Sequence, residues 1–195
     1  MRPIHIQRAA SHTEMPWANG GGITYEVAAS PPGSDLASFD WRISIADVRE
    51  SGPFSTFPGI DRVLTVLGPG DLRLFINSTE VLSRRHAPVD FSGDDEVRAE
   101  LVDGPITDLN VMTRRGTRES DVVVQTVSGT AVLELPSLSE SIIVVLAGHL
   151  TMADGESLEP RDVLFLGSPT SISGDGVIAN ITIRTHMHST PTMRP

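Results

Sequence analysis

Trp41-Arg42-Ile43-Ser44-Ile45-Ala46 alternates large apolar side chains with polar or small ones, and this alternation decides the fold class. Successive side chains of an extended strand point to opposite faces, so the apolar side chains lie on one face, while Arg42 and Ser44 lie on the other. Similar short runs, separated by Gly, Pro, Asp and Ser, recur along the chain, and helical periodicity is scarce. The pattern predicts an all-β protein, an antiparallel sandwich or barrel with little helix.

The candidate strands are numerous and short. They span residues 23–29, 41–48, 62–67, 71–76, 97–102, 109–113, 121–127, 131–135, 141–146, 150–152, 162–166 and 177–184.

A weak internal repeat indicates two related halves. Val63-Leu64-Thr65-Val66-Leu67-Gly68, with Leu72 following, is similar to Ile142-Ile143-Val144-Val145-Leu146-Ala147, with Leu150 following. A spacing of about 80 residues is typical of a domain duplication and too long for a solenoid repeat. The alternative is that any two β-hairpins look alike. The polar segment 114–120 would separate the halves, which predicts an N-terminal arm and first barrel over 1–118 and a second barrel over 119–195.

Composition excludes several classes of function. The formal net charge of -10 over 195 residues argues against a nucleic-acid partner, which needs a clustered basic surface. All 15 basic residues are Arg, and the chain has neither Lys nor Cys, so Schiff-base chemistry and thiol nucleophiles are excluded. We expect a cytoplasmic protein without a membrane partner, because no segment has the apolar length of a signal peptide or a membrane span. A homodimer is compatible with the sequence.

Two arginines are candidates for binding an anion. An Arg that faces inward in a small barrel needs a carboxylate or an anionic ligand, and its planar fork can hold a carboxylate through two hydrogen bonds. Arg42 is the stronger candidate and Arg62 the second. An internal salt bridge to Asp61, Asp40 or Glu26 is the alternative for both.

The segment Asn19-Gly20-Gly21-Gly22 can bring backbone N–H groups close to a bound molecule, since glycine lacks a Cβ and readily adopts positive φ. Asn19 adds an amide at the same place, and Trp17 would supply an apolar wall with one N–H donor. The alternative is a tight turn that leads into the next strand.

Three sequence blocks together identify a resemblance. They are Pro16-Trp17-Ala18-Asn19-Gly20-Gly21-Gly22-Ile23-Thr24-Tyr25-Glu26, the run over 39–62 that contains Phe39-Asp40-Trp41 and Gly52-Pro53-Phe54, and Asp108-Leu109-Asn110-Val111-Met112-Thr113-Arg114. In order and wording they resemble the HutD/Ves family, small bacterial proteins built from two fused cupin barrels. The resemblance covers essentially the whole chain and implies a bicupin, a jelly-roll-like pair of small barrels.

The resemblance also implies a function. Members of the family are associated with histidine utilisation, where they are thought to bind a pathway compound such as N-formylglutamate and to restrain the pathway. We therefore expect a small anionic carboxylate as partner, bound in the first barrel and regulating histidine utilisation. The predicted ligand-binding residues are Trp17, Asn19, Gly20, Gly21, Gly22, Arg42, Ser44 and Arg62.

No metal, cofactor or catalytic residue is predicted. A metal-binding cupin needs two His one residue apart, a carboxylate and a further His, and residues 52–67 contain no His. His186-Met187-His188 has the spacing, but its Ser, Thr and Pro surroundings indicate a solvated end. No Gly-x-Ser-x-Gly elbow is present.

Two other functions stay open at this point. One is a metal-free enzyme that acts on an N-formyl or related acidic amide, with Asp61 or Glu26 as general base. The other is a scaffold whose barrels mediate protein contacts only.

Overall fold

The computed structural model describes residues 3–186, and within this range the chain forms sixteen β-strands, one short 3-10 helix and no α-helix. Strands take up 64% of the chain, which confirms the all-β prediction. The first eight strands are β1 His5–Gln7, β2 Thr13–Pro16, β3 Gly22–Ser30, β4 Trp41–Val48, β5 Gly52–Pro53, β6 Ile60–Gly68, β7 Leu72–Ile76 and β8 Thr79–Ser83, with the 3-10 helix at Ala9–Ser11. The others are β9 Pro88–Ser92, β10 Val97–Leu101, β11 Ile106–Arg114, β12 Arg118–Leu133, β13 Ser139–Met152, β14 Ser157–Leu158, β15 Val163–Leu166 and β16 Thr170–Thr185.

These strands build three antiparallel sheets. Sheet I has the order β2-β3-β4-β11-β6-β9, and sheet II has the order β5-β10-β7-β8. Sheet III has the order β1-β15-β13-β16-β12, with β14 paired to β13. Each order is an open path, so the sheets pack as layers and do not close into rings among the described residues.

Sheet I is the central layer, and the alternation in β4 assigns its two faces. Trp41, Ile43 and Ile45 join a buried cluster that includes Ile142 and Ile181 of sheet III. Ala46 and Val48 join a different cluster, which sheet I shares with sheet II. The predicted alternation is therefore confirmed, and the bounds of β4 agree with those predicted. The face that carries Arg42 and Ser44 is the one directed away from sheet III.

The N-terminal strand crosses from one half of the chain to the other. His5–Gln7 pairs with β15 of sheet III, so this strand hydrogen-bonds to the second half although it precedes the first. The Asp162 carboxylate then accepts hydrogen bonds from Arg8 Nη1 at 2.6 Å and from the Ala9 backbone N–H at 3.0 Å. The arm thus fastens the halves together, and the division at residue 118 stays a prediction.

The glycines of the second half do not end its strands, contrary to the predicted breaks. Strands β12 and β13 run without interruption through Gly129 and Gly148. Gly148 lies opposite Gly176, and a Cβ on Gly148 would come within 2.2 Å of the Asp175 carbonyl oxygen. These glycines allow two backbones to approach closely, which periodicity alone cannot distinguish from a turn. The short strands β1, β2, β5, β8, β9 and β14 were also not predicted.

Within residues 3–186, the structure contains no helix of the length and apolarity required to cross a bilayer.

Candidate functional site

A cavity of about 470 Å³ lies on the face of sheet I that looks toward β5 and β10 of sheet II. Sheet I supplies one wall through alternate side chains of three neighbouring strands. The segment before β3, the stretch 50–57 around β5, Leu36 and Ala99 of β10 supply the rest of the lining. The polar side chains in sheet I that line the cavity are Thr24, Arg42, Ser44, Arg62, Asp108 and Asn110.

Strand pairing arranges the wall in rows. Met112 of β11 lies between Arg42 of β4 and Arg62 of β6, so both guanidinium groups belong to one row. Two residues along β11, Asn110 lies opposite Ser44, and two residues further, Asp108 lies opposite Ala46. The cavity therefore has a cationic row at one end and side-chain acceptors further along the same strand.

Arg62 is a buried cation without a carboxylate partner. Its residue is 5% exposed, and no carboxylate of residues 3–186 lies within salt-bridge distance of it. Nη1 donates to the Ser55 carbonyl oxygen at 3.2 Å, and Nε is buried without a hydrogen-bond partner. Burial lowers the pKa of this guanidinium to about 10, and Arg42 adds to the lowering while Asp108 opposes it. A buried guanidinium with an unpaired N–H group and no carboxylate partner can bind an anion.

Three phenylalanines surround the Arg62 guanidinium. Its Cζ lies 5.4 Å from the ring centroids of Phe54 and Phe57 and 4.8 Å from that of Phe91. Aromatic faces attract a cation but do not neutralise it, and they fix the guanidinium in place. Phe54 and Phe57 also line the cavity, so the Arg62 guanidinium lies in an apolar part of the cavity wall.

Arg42 is buried as well, but it has a partner. Nε donates to the Glu26 carboxylate at 2.8 Å, which makes the internal salt bridge that was the alternative for this residue. Nη1 contacts the Ser44 hydroxyl at 3.3 Å, and Nη2 contacts the Met15 sulfur at 3.7 Å. Each terminal nitrogen carries two N–H groups and has one acceptor among residues 3–186, so each keeps an unpaired N–H group, and Arg42 lines the cavity.

Asp108 and Asn110 lie deeper along β11 and were not among the predicted binding residues. Asp108 is 3% exposed, and burial raises the pKa of its carboxyl to about 7, with Asp47 adding to the rise and Arg62 opposing it. The Asn110 Oδ1 is buried without a hydrogen-bond partner. Strand parity could have indicated both residues, because they share a face of β11 with Met112. The predicted strand began only at residue 109, after Asp108.

The glycine segment makes a turn that supports Trp17. The Gly21 N–H donates to the Asn19 Oδ1 at 3.0 Å, and the Gly20 N–H donates to the Trp17 carbonyl oxygen at 3.0 Å. A Cβ on Gly22 would come within 3.0 Å of the Trp17 ring. Trp17 Nε1 donates to the Thr24 hydroxyl at 2.8 Å. The turn alternative thus accounts for two of the three glycine N–H groups.

The structure brings most of the predicted binding residues together. Trp17, Asn19, Gly21, Arg42, Ser44 and Arg62 line the cavity, whereas Gly20 and Gly22 are not part of its lining. Their assignment to ligand binding stays a prediction. Arg114, four residues after Asn110 in β11, donates to the carbonyl oxygens of Ala37 and Phe39 and is not part of the lining of this cavity.

The two carboxylates considered as general bases lie elsewhere. Asp61 has an exposed side chain that is paired with Arg115 at 2.6 Å, and Glu26 is committed to Arg42. Neither residue lines the cavity.

A metal ion, which many cupin barrels hold, does not fit these residues. The cavity presents two guanidinium cations, Arg42 and Arg62, and two carboxyl groups, Asp108 and Glu50, with no imidazole in its lining, which is not the ligand set of a cupin metal site. In the described part of the chain, no three His, Cys, Asp or Glu side chains cluster in a way that could hold one. Of the terminal His pair, His186 Nδ1 lies 3.8 Å from Glu119, and His188 lies outside the described residues.

Solved structures and curated relatives are similar to this chain. HutD from Pseudomonas fluorescens SBW25 superposes with a TM-score of 0.79 at 30% identity, over 94% of this chain and 99% of that one. A cupin 2 conserved barrel domain protein from Leptotrichia buccalis gives a TM-score of 0.55 at 10% identity over 84% of this chain and 88% of that one, which supports the cupin fold alone.

Two curated relatives match part of the chain. An uncharacterized 21.2 kDa protein in the hutC 3′ region of Pseudomonas putida is 42% identical over 57% of this chain and 59% of its own length. Protein Ves of Citrobacter koseri is 44% identical over 51% of this chain and 52% of its own length. The chain thus spans little more than half of the length of these relatives. The HutD family model matches residues 9–179, and the chain belongs to the HutD family.

Proposed function

We propose that this protein binds a small carboxylate metabolite, N-formylglutamate or a related intermediate of histidine degradation, and thereby regulates histidine utilisation. The observation that carries the proposal is Arg62, a buried guanidinium that lines the cavity with no carboxylate partner among residues 3–186. A ligand carboxylate would supply the missing counter-charge. Its binding would report the concentration of the intermediate.

The size and lining of the cavity support a small molecule. A volume of about 470 Å³ is in the range of small-molecule sites, which are mostly apolar with a few placed polar groups. Trp17, Phe54 and Met112 supply apolar wall, and the two arginines supply charge from one row. Since Arg62 is held by three phenylalanine rings, little side-chain freedom is lost when an anion binds.

The link to histidine degradation rests on the relatives. One solved relative is named HutD, and one curated relative is described by its place beside hutC. Transfer of that role to this chain is part of the proposal.

Titration calorimetry with N-formylglutamate, glutamate and urocanate tests the proposal. We expect at least one carboxylate to bind wild type, and Arg62→Ala to weaken the best ligand by about 10- to 100-fold, because a charged hydrogen bond in a desolvated site is lost. Arg98→Ala is the matched control, since Arg98 lies on β10 with its exposed side chain paired to Glu100. Unchanged affinity in a folded Arg62→Ala protein would show that Arg62 is structural.

A second candidate function has one specific observation in its favour. A carboxyl group with a pKa near 7 suits general acid–base catalysis at neutral pH, and Asp108 brings such a group into the cavity. Under this reading, Asp108 and not Asp61 or Glu26 would activate a water that hydrolyses an N-formyl or acidic amide. Release of formate from N-formylglutamate by wild type, and its loss in Asp108→Asn, is the expected result. Absence of formate release by wild type would exclude it.

A further inference from the structure

Two hydrogen-bond acceptors on one face of β11 line the cavity without donors. In the described part of the chain, neither a side chain nor a backbone group hydrogen-bonds to the Asp108 carboxyl, and the buried Asn110 Oδ1 also has no partner. Buried acceptors are nearly always satisfied in native proteins, so each unsatisfied one needs an explanation. The Asn110 Oδ1 is such a buried acceptor, and the Asp108 carboxyl, which has no hydrogen bond among residues 3–186, lies on the same wall of the cavity. Together they indicate a ligand group that donates.

The neighbouring strands place no donor beside Asp108. Asn110 lies opposite Ser44, but among residues 3–186 no group hydrogen-bonds to the Asn110 Oδ1. Asp108 lies between Ala46 and Val66 in the sheet, and neither side chain carries a donor. The adjacent Thr107 shows the contrast, because on the other face its hydroxyl donates to Asp47 at 2.7 Å and accepts from Arg161 at 3.0 Å. The face of β11 that points away from the cavity is therefore satisfied within the protein, whereas the face that lines the cavity is not.

Asp108 does not serve as the counter-charge of Arg62. The two groups attract each other electrostatically, yet no ion pair within 4.0 Å joins them in the described residues. Among residues 3–186, the cavity therefore holds a cation that lacks a carboxylate partner and acceptors that lack a donor. A molecule with a carboxylate at one end and an N–H group beside it would satisfy both.

The spacing of the rows fits a molecule of amino-acid size. Successive residues on one face of a strand lie roughly 7 Å apart, so the row of Asn110 is about that distance from the row of Arg42 and Arg62. In a molecule of this size, the carboxylate and the nitrogen are separated by two or three bonds. If the carboxylate contacts a side chain of one row and the nitrogen contacts a side chain of the other row, the ligand and its contacts together bridge this distance.

We infer that Asp108 and Asn110 form a second subsite of the cavity that accepts an N–H group, so the ligand is a carboxylate with an amide or amine nitrogen rather than a plain dicarboxylate. The inference rests on the proposed function, in which Arg42 and Arg62 hold the carboxylate.

A pair of matched ligands tests the subsite. N-formylglutamate and 2-formyloxyglutarate differ only in that an ester oxygen replaces the N–H group. We expect wild type to prefer the N–H ligand by about tenfold or more, because the ester oxygen repels the acceptors and leaves them unpaired. Asp108→Leu should reduce that preference to less than about threefold, with Asp103→Asn as a control at an exposed carboxylate of the loop before β11.

Asn110→Leu is the second variant and should also reduce the preference, which keeps the test valid if Asp108→Leu fails to fold. Equal binding of the two ligands by wild type would overturn this inference and leave the proposed function standing. A full preference retained in both folded variants would also overturn it. If wild type binds neither ligand, the proposed function fails together with the subsite.

Discussion

In both halves of the chain, apolar strands face the interior, yet the two interiors differ in the polar side chains and the empty space that they contain. In the repeat, Leu64 and Ile143 correspond, and each is fully buried in the interior of its own half. Two positions earlier, and so on the same face of the strand, the first half has Arg62 and the second half has Ser141. Ser141 directs its hydroxyl toward the Glu134 carbonyl oxygen, whereas residues 3–186 provide no acceptor for the Arg62 Nε.

This difference separates stability from binding. The interior of the second half is packed with apolar side chains such as Leu150, Leu164 and Ile178, and packing of this kind supplies most of the free energy of folding. The interior of the first half keeps a cavity with buried charges, which lower the stability of the folded state. We infer that the second half and the shared core stabilise a first half that is left incomplete for a ligand.

The largest effect is expected from opening a cavity in the filled half. Leu150→Ala should reduce the free energy of unfolding by about 2–5 kcal/mol, since Leu150 is 1% exposed and its neighbours can collapse only in part. Urea denaturation measures the loss, and calorimetry on the folded variant should find ligand affinity unchanged. A loss of stability below about 1 kcal/mol would mean that the interior of the second half is not densely packed around Leu150.

Acidification should stabilise the first half through Asp108. The pKa of this carboxyl is about 7 in the folded state and near 3.8 when unperturbed, so the folded protein binds the proton more tightly. Stability is therefore highest below about pH 4 as far as this group is concerned, and it falls as the pH rises from there through 7. Each unit of pKa difference corresponds to about 1.4 kcal/mol, so the total is on the order of 4 kcal/mol.

The measurement is the free energy of unfolding of wild type and Asp108→Asn at several values between pH 5 and 8. The amide cannot ionise, so the variant should lose this part of the pH dependence and be more stable than wild type at pH 8. If the free energy of unfolding changes with pH in the same way in both proteins, ionisation of Asp108 does not destabilise the folded state.

Replacement of Arg62, the buried cation of the first half, should lower ligand affinity without lowering stability, so a single substitution distinguishes the two properties. Arg62→Met keeps a flexible side chain that packs well against Phe54, Phe57 and Phe91. We expect ligand affinity to fall by about 1.5–3 kcal/mol, with stability unchanged or slightly higher because no buried cation remains. Calorimetry and urea denaturation on the same sample check both parts. A variant less stable than wild type by more than about 1 kcal/mol would place Arg62 among the stabilising residues.

The smallest effect is expected at Arg42. Arg42→Lys keeps a cation near Glu26 but loses the planar fork, so ligand affinity should fall by roughly tenfold while the fold is retained. The same calorimetric titration measures this change. Equal affinity in Arg42→Lys would mean that Arg42 only positions Glu26 and does not contact the ligand.

Much of the fold and part of the candidate site were predictable from local pattern. The alternation over Trp41–Val48 placed Arg42 and Ser44 opposite the apolar core, and the same parity holds in β11. Gly148 misled the prediction, because a glycine that permits close approach of two strands has the same local signature as a turn glycine. Asp61 was considered as a general base. It lies one residue before Arg62 in β6, so its side chain points to the opposite face of the strand, where it contacts Arg115.

The sequence by itself determined which faces of its strands are apolar, that the chain is all-β, and that its basic groups are arginines, since period-two alternation and composition are local properties. Only the tertiary structure decided what each inward polar group meets. Arg62 lies against Phe54, Phe57 and Phe91, and β11 places Met112 between Arg42 and Arg62. These neighbours come from strands far apart in the chain, and sheet order and register, which depend on the packing of the whole molecule, bring them together.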